Sequence, residues 1–488
     1  MLARGSWIWG WMHSRIANGP RVTNTLRSPG CPPYSSAASA KLFGMPNNSA
    51  TVPRKPQTAR PERGLWRLLG PAFVASIAYV DPGNVAANLT AGAEHGYLLV
   101  WVLVVSNSIA VLVQYLSAKL GLVTGRSLPE ILGARLDKWP RLAYWVQAEV
   151  VAAATDIAEV VGGAIALSLL FNLPLVWGGV ITGAVSMVLL VIQSRRGQQP
   201  FEFVIIGLLG VITFGFLAGL FVSPVDWAGA AGGLLPQFAG SGTVVLAASM
   251  LGATVMPHAI YLHSSLSRDR HLPHFGPEGT RPVGSLKPAT LAQATSGEAE
   301  EHRAQLPRLL RATKFDVLWS LVIAGSVNIA MLLLAAASLR GVGGTDTIAG
   351  AHDAIVNALG PAIGVIFAVG LLASGLASTS VGAYAGSVVM GGLLKKRVPL
   401  LLRRLITLIP ALVVLGVGSD PTYALVLSQV VLSLGIPFAL IPLVRLSSSR
   451  RVMGEHTMVV SLKAVSWIVV ALIIALNVTL LYITFTGG

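Results

Sequence analysis

The chain has 488 residues, of which 53% are hydrophobic and 11% are charged, and its mean hydropathy is +0.70. A soluble protein carries about a quarter charged residues, so this composition excludes a soluble protein and indicates one that crosses a membrane many times. The net charge of +15 is explained by loops rich in Lys and Arg rather than by nucleic-acid binding. The single cysteine, Cys31, excludes an intrachain disulfide and a thiolate cluster.

The N-terminal segment differs in composition from everything that follows it. Residues 1–62 contain no Asp or Glu before Glu62, but hold several Arg and Lys among frequent Ser, Pro, Asn and Ala. This pattern predicts a disordered basic tail outside the fold. An organelle-targeting peptide and a start codon assigned upstream of the real one are alternatives.

Eleven apolar segments of about 20 or more residues follow, each long enough to cross a bilayer as a helix. They lie near residues 66–91, 97–122, 142–170, 174–194, 201–222, 242–266, 316–339, 360–393, 398–418, 421–445 and 462–485. If the N-terminus is cytoplasmic, the inside segments and inner span ends hold every Lys and Arg except Arg340. The positive-inside rule therefore predicts a cytoplasmic N-terminus and an extracytoplasmic C-terminus.

The spans divide into two halves of five. We predict one membrane domain over residues 63–488, with one five-helix repeat at 66–222, a second at 242–445 and an extra helix at 462–485. The segment 267–310 between spans is polar and mixed in charge, which predicts a disordered cytoplasmic loop.

The first span is interrupted near its centre by Asp81-Pro82-Gly83-Asn84. A carboxylate in mid-membrane is energetically expensive and indicates a functional site. Proline removes a backbone donor and glycine tolerates conformations that break a helix, so we predict a helix break at Pro82 and Gly83. The alternative is a proline-kinked helix with one buried, hydrogen-bonded aspartate.

A second interruption, at Pro257, lies in the sixth span within Gly252–His258. Two broken spans at corresponding places in two halves are typical of the binding site of an inverted-repeat transporter. Pro257 has no N–H to bond the Ala253 carbonyl, which is left free to act as a ligand. With the Met256 thioether and the oxygens of Asp81 and Asn84, it forms a mixed donor set that suits a transition metal, whereas Mg²⁺ and Ca²⁺ prefer oxygen alone. Met256 could instead fill the core.

The third span carries three acids, Glu149, Asp156 and Glu159. Their spacings of seven and three place them on one helix face, over about 15 Å of depth. Such ladders mark proton relays. Arg403 and Arg404 enter the ninth span at a depth similar to that of Glu149 and could pair with these acids, although snorkelling or a plain buried salt bridge would also explain them.

Two histidines follow the second break, His258 and His263. Their ordinary pKa suits proton exchange near neutral pH. We predict a role for His258 in proton handling or in positioning the broken helix. For His263 a proton role and a structural role are about equally favoured.

The pairing of Asp81-Pro82-Gly83-Asn84 with Met256-Pro257-His258 closely resembles the Nramp family of proton-coupled divalent-metal transporters. Tyr261–Ser264 also matches the family. The resemblance implies an all-α, LeuT-type fold with a 5+5 inverted repeat and the first and sixth helices broken. It also implies metal ligation by Asp81, Asn84, Met256 and the Ala253 carbonyl. Ala259 departs from the family, which often has asparagine there.

The resemblance also extends to the tenth span and the proton route. Gln429 matches a polar residue that contacts metal in some states, although an interhelical hydrogen bond would also explain it. Asp156, Glu159 and His258 are similar to residues on the family's proton route.

The sequence therefore predicts a symporter that imports Mn²⁺ and/or Fe²⁺ with protons by alternating access. Metal ions and protons are its cargo, in a lipid bilayer that is most simply a bacterial plasma membrane. We expect no cofactor, no nucleic acid, no obligate protein partner and no enzymatic activity. Alternatives are a related transporter of Mg²⁺ or another hard cation, a LeuT-type symporter of an organic solute, and an intramembrane metallo-hydrolase, for which the His-Glu-x-x-His arrangement is lacking.

Overall fold

The fold was examined in a computed structural model of the chain, which describes residues 70–196, 198–271, 296–345, 347–394, 399–418 and 420–486. The predicted tail, residues 1–62, lies outside the described residues, as does 272–295 of the predicted loop. The regular structure in the described part is entirely helical. The all-α prediction is therefore confirmed.

Seventeen α-helices follow one another along the described chain. They are α1 Pro71–Ile77, α2 Pro82–His95, α3 Val100–Thr124, α4 Leu128–Arg135, α5 Lys138–Phe171, α6 Leu175–Arg196, α7 Gln198–Val222, α8 Trp227–Gly232, α9 Ser241–Thr254, α10 Pro257–His271, α11 Ser296–Ser338, α12 Ile348–Leu359, α13 Pro361–Leu394, α14 Leu400–Gly416, α15 Pro421–Ser447, α16 Arg450–Met453 and α17 Val460–Thr486.

Nine segments of the described chain are long and apolar enough to cross a membrane. The segment Ser241–Arg270, which contains α9 and α10, is one of them. The broken pair α1 and α2, and α14 with its 17 residues, account for the other two predicted spans. The helices therefore agree with the eleven predicted spans, and the first and sixth spans are broken as predicted.

The segment between α10 and α11 is shorter in the structure than the predicted loop 267–310. Helix α10 continues to His271, and α11 already begins at Ser296. The early part of α11 is held by packing, because Leu306 and Leu309 are buried against Leu122 at the end of α3. Apolar contacts of this kind stabilise a helical extension that the polar composition alone does not reveal.

The two broken spans face each other in the centre of the bundle. Helices α2, α9 and α15 contact one another there. Beside them, α5 packs along α13, the most extensive helix pair in the described part of the chain. This arrangement places the two breaks next to the face of α5 that carries the acids.

Candidate metal and proton sites

The first break consists of the four residues Ala78–Asp81 between α1 and α2. The N–H groups of Ala78, Tyr79 and Val80 donate to carbonyls three residues back, at 3.3, 3.0 and 3.0 Å. Asp81 caps α2, and its Oδ1 accepts from the Asn84 N–H at 2.8 Å and from Asn84 Nδ2 at 2.7 Å. The acid and the amide are therefore held together by the start of the helix itself.

The prolines lie immediately after the breaks, not within them. Pro82 and Pro257 are the first residues of α2 and α10, and Gly83 is the second residue of α2. Proline is favoured at the first helical position, where its missing N–H leaves no bond unmade. The structure therefore corrects the predicted breaks at Pro82, Gly83 and Pro257. The helices are interrupted just before these residues, at Ala78–Asp81 and at Val255-Met256.

Side chains from distant helices cover the carbonyls of the first break. Asn328 Nδ2 donates to the Tyr79 carbonyl at 2.8 Å, and the Ser374 hydroxyl donates to the Val80 carbonyl. Asn328 Oδ1 in turn accepts from Asn88 Nδ2 at 3.0 Å. Unwound backbone at membrane depth requires such partners. Asn88, Asn328 and Ser374 are not among the predicted site residues, because nothing in the sequence distinguishes them from the other polar residues of their spans.

The second break is the link Val255-Met256 between α9 and α10. Asn84 Nδ2 donates to the Ala253 carbonyl at 3.0 Å, which joins the two breaks directly. Asp81, Asn84 and Met256 are fully buried. The structure thus brings Asp81, Asn84 and the Ala253 carbonyl together, and it places Met256 within the facing break.

Gln429 of α15 approaches the same place. A side chain at Gly83 would overlap the Gln429 carboxamide, which therefore lies directly on the backbone of α2, two residues from Asp81. Gln429 Nε2 donates to the Ser428 hydroxyl at 3.3 Å. Glycine at position 83 is what lets Gln429 come this close.

Three buried oxygens at this place have no hydrogen-bond partner within the described residues. They are Asn84 Oδ1, Gln429 Oε1 and, apart from an approach by the Gln429 amide to the Asp81 carboxyl, Asp81 Oδ2. Buried polar atoms are normally paired, so an unpaired set calls for a ligand. Oxygens of carboxylate and amide groups are donors for a divalent cation. Among these three oxygens only that of Asp81 belongs to a carboxylate. The described residues contain no cluster of three or more His, Cys, Asp or Glu that could hold a metal ion.

The acid face of α5 contains two ion pairs. Glu149 Oε1 accepts from Arg403 Nη2 at 2.8 Å, and Asp156 Oδ1 accepts from Arg404 Nη1 at 2.7 Å. Arg404 is fully buried, and its Nε donates to the Ser186 hydroxyl at 3.0 Å. The acid face of α5 therefore carries two arginine–carboxylate pairs, at Glu149 and, seven residues later, at Asp156.

Glu159 differs from the other two acids. It is fully buried, and apart from an approach by the Ser378 hydroxyl neither carboxylate oxygen is hydrogen bonded within the described part. His258 lies beside α5 as well, since its Nδ1 is 3.4 Å from the Thr155 hydroxyl, which itself donates to the Val151 carbonyl. His258 thus contacts the residue preceding Asp156.

His263 contacts a different helix. Its Nδ1 is 2.8 Å from Gln114 Oε1, and Gln114 Nε2 donates to the Tyr79 hydroxyl. This chain of side chains leads from α10 through α3 to the first break. The structure therefore does not place His263 with the acids of α5, and the sequence analysis missed Gln114 and Tyr79 as its partners.

A helical membrane bundle with its first and sixth spans broken opposite each other defines a transporter of the LeuT type. The sequence matches the family model Natural resistance-associated macrophage protein-like, or Nramp, over residues 72–483. The chain therefore belongs to the Nramp family.

Several relatives and solved structures are similar to it. Divalent metal cation transporter MntH of Mycobacterium tuberculosis is 57% identical over 423 residues, covering 86% of this chain and 92% of that protein. The Bacillus subtilis protein of the same name is 41% identical over 425 residues, 87% of this chain and 93% of that one. A crystal structure of the Eremococcus coleocola manganese transporter matches with a TM-score of 0.73 and 30% identity, over 87% of this chain and 88% of that chain.

Proposed function

We propose that the chain imports Mn²⁺, and Fe²⁺ as a second cargo, together with protons. The observation that carries the proposal is the convergence of the unpaired oxygens of Asp81, Asn84 and Gln429 beside the break that contains Met256. The names of the relatives, divalent metal cation transporter and manganese transporter, support this cargo class.

The donor set favours a transition metal that binds and leaves. One carboxylate, two amide oxygens, the Ala253 carbonyl and the Met256 thioether combine hard and soft donors, which suit Mn²⁺ or Fe²⁺ better than Mg²⁺. A site with a single charged ligand holds its ion weakly enough for release. The metal is cargo in this proposal, with no resident cofactor.

Proton coupling follows from the same carboxylate. Asp81 must be ionised to bind a cation, so metal binding displaces its proton. Asp156, Glu159 and His258 lie beside the breaks and form the proposed onward route, and Glu149 lies farther along α5. Arg404 and Arg403 of α14 pair with Asp156 and Glu149. Alternating access then arises when the broken spans tilt against the rest of the bundle.

The orientation completes the proposal. The bias of Lys and Arg places the N-terminus in the cytoplasm and the C-terminus outside. The plasma membrane is the membrane that suits import from outside the cell. In this orientation metal and protons both move inward.

The test is Mn²⁺ uptake into proteoliposomes under an inward proton gradient, with a pH-sensitive dye inside and excess Mg²⁺ as competitor. We expect uptake that is accompanied by acidification, ignores Mg²⁺ and is lost in Asp81→Ala. Met256→Ala should become sensitive to Mg²⁺. Met250→Ala is the matched control, because Met250 is also fully buried but packs in an apolar cluster with Leu103.

Two results would change the proposal. Uptake of Mg²⁺ as readily as Mn²⁺ by the unmodified protein would replace it with a hard-cation transporter. Mn²⁺ uptake without acidification would remove the proton coupling and leave the metal cargo in place.

A further inference from the structure

One face of α13 that is turned toward α5 carries almost no side-chain bulk. It consists of Gly375, Thr379, Gly382 and Gly386, spaced four, three and four residues apart. These spacings keep all four on one side of a helix. A Cβ atom added to any of the three glycines would come too close to an atom of α5 or α14. This face is therefore a groove that is occupied by groups of the neighbouring helices.

The carboxylate of Glu159 lies in this groove. A Cβ added at Gly382 would be 2.9 Å from Glu159 Oε2 and 3.1 Å from Oε1, closer than ordinary contact distances. The carboxylate therefore lies on the bare backbone of α13. It is the unpaired, fully buried acid described above.

The next turn of the groove holds Arg403. A side chain at Gly386 would overlap the Arg403 guanidinium, whose Nη1 donates to the Ala383 carbonyl at 3.2 Å. One helical turn separates Gly382 from Gly386 and thus separates Glu159 from the Arg403–Glu149 pair along α13. The groove links the unpaired acid to an ion pair whose carboxylate side chain is 24% exposed.

The other end of the groove is closed. A Cβ at Gly375 would be 2.9 Å from the Gly163 nitrogen and 3.1 Å from the Glu159 carbonyl, so the backbones of α13 and α5 touch there. A passage along this face can therefore lead only toward the Glu149 end.

Several buried polar atoms along this line have no partner within the described residues. They are Thr379 Oγ1, both carboxylate oxygens of Glu159 apart from the Ser378 approach, Arg403 Nε and Glu149 Oε2. Buried water molecules typically bond two to four such atoms. A row of unpaired donors and acceptors along a groove without side chains is the pattern expected of a water site.

We propose that this face of α13 is a water-binding groove for proton passage. Gly382 and Gly386 are positioning residues that let Glu159 and Arg403 lie one turn apart, and the Thr379 hydroxyl, about one turn from Gly382 on the closed side, anchors water at the Glu159 carboxylate. A proton leaves the Glu159 carboxyl for the nearest water molecule, each water in the row passes one of its protons to the next, and the last water protonates the Glu149 carboxylate. The inference rests on the proposed function, to which it adds the residues of α13 that line the proton route and the water molecules that carry the proton.

The first test is Gly382→Ala in proteoliposomes, with Mn²⁺ uptake and internal acidification measured together. Alanine is a good helix former, so the change acts through its methyl group, which presses on the Glu159 carboxylate. We expect proton flux to fall about tenfold, because the methyl group displaces the carboxylate from its place on α13, while the KM for Mn²⁺ is unchanged. Gly370→Ala is the control, because its Cβ meets α7 at 3.3 Å from Gly215, away from the acids.

Two further comparisons separate a proton role from simple packing. Glu159→Asp has a carboxylate that is shorter by one methylene, so adding it to Gly382→Ala should restore part of the proton flux. Thr379→Val keeps the shape and removes the hydroxyl, and it should lower proton flux, whereas Thr379→Ser should keep it.

The inference is overturned if the unmodified protein couples protons to Mn²⁺ while Gly382→Ala and Thr379→Val do so equally well. It is also overturned if Gly370→Ala causes the same fall as Gly382→Ala, since the effect would then be general helix packing. Absence of acidification in the unmodified protein would instead count against proton coupling itself, before any variant is compared.

Discussion

The two central regions of the molecule are built in opposite ways. The region of the breaks has interrupted backbone and a single carboxylate, Asp81, and its contacts are mainly hydrogen bonds between side chains and main chain. The region along α5 has unbroken helices and two arginine–carboxylate pairs. One region is nearly neutral and irregular, and the other is charged and regular.

This difference follows from what each region must tolerate. Hydrogen bonds to free carbonyls can be exchanged for others at little net cost, so broken spans can tilt between two arrangements. A buried charge that loses its partner is destabilised by several kcal/mol, so charge pairs belong on helices that keep their spacing. In the proposed function, metal binding therefore uses the movable elements, and the proton, once it has left Asp81 and passed His258, continues along the fixed ones.

The largest expected effect comes from breaking a fixed pair. Arg404→Met leaves Asp156 buried and unpaired, since the two side chains are only 0% and 2% exposed. We expect a loss of about 3–5 kcal/mol of stability, seen as a lower Tm in detergent. Adding Asp156→Leu should recover most of this stability but not proton transport. A single variant with an unchanged Tm would show that the pair does not hold this region together.

The second-largest expected effect is on Mn²⁺ binding, and it concerns Asp81, the single carboxylate in the region of the breaks. Asp81→Asn keeps the size of the side chain and removes its charge, so Mn²⁺ binding measured by calorimetry should weaken on the order of 100-fold. Asp420→Asn is the control, because the Asp420 carboxylate only accepts from the first N–H groups of α15, at 2.7 and 3.0 Å. Equal affinity in Asp81→Asn would mean that the ion does not bind at the breaks.

A smaller effect is expected at the side chains that cover the first break. Asn328→Ala leaves the Tyr79 carbonyl and the Asn88 amide without their partner, at a cost of about 1–3 kcal/mol. Because the break is then held less firmly in its binding arrangement, Mn²⁺ affinity should fall about tenfold.

Asn477→Ala provides the comparison. Asn477 of α17 also both donates and accepts, because its Nδ2 donates to the Ser433 carbonyl and its Oδ1 accepts from the Ser433 hydroxyl, and neither bond involves a residue of the breaks. It should lower stability without changing Mn²⁺ affinity. If Asn328→Ala and Asn477→Ala lowered the Mn²⁺ affinity equally, the cause would be the loss of stability and not the loss of the hydrogen bond from Asn328 to the Tyr79 carbonyl.

The sequence revealed the local features and missed the distant ones. Asp81 and Asn84 are three residues apart and could be placed on one break, and the acids of α5 could be placed on one face. The partners of the Tyr79 and Val80 carbonyls lie 249 and 294 residues farther along the chain, where nothing local distinguishes them from other polar residues in apolar spans.

The histidines show the same limit. His258 and His263 are close in sequence. The sequence predicts a proton or positioning role for His258, and for His263 a proton role and a structural role are about equally favoured. Five residues of an α-helix turn through about 500°, so the two side chains point to different neighbours. His258 accordingly contacts α5, whereas His263 contacts Gln114 of α3. Knowing which helices lie on each side of α10 requires the fold.

The smallest effect tests whether the charged region is one unit. The Arg403–Glu149 pair lies at its margin, since the Glu149 side chain is 24% exposed. Arg403 itself is buried, but position 149 is partly exposed and a glutamine there keeps a hydrogen-bond acceptor, so Glu149→Gln should cost about 1 kcal/mol of stability. The glutamine oxygen can still accept from Arg403, which also keeps its bond to the Ala383 carbonyl at 3.2 Å. The measurement is the Tm of Glu149→Gln, of Arg404→Met and of the double variant.

Additive effects would mean that the two neighbouring pairs are independent, as expected if each arginine is held by its own contacts. Arg404 has Ser186 and Asp156, and Arg403 has Ala383 and Glu149. A double variant that loses much more or much less stability than the sum would show that the pairs share one network. In that case the fixed region would respond as a whole when a proton arrives at any of its acids, and its contrast with the movable breaks would be one of stiffness rather than of charge alone.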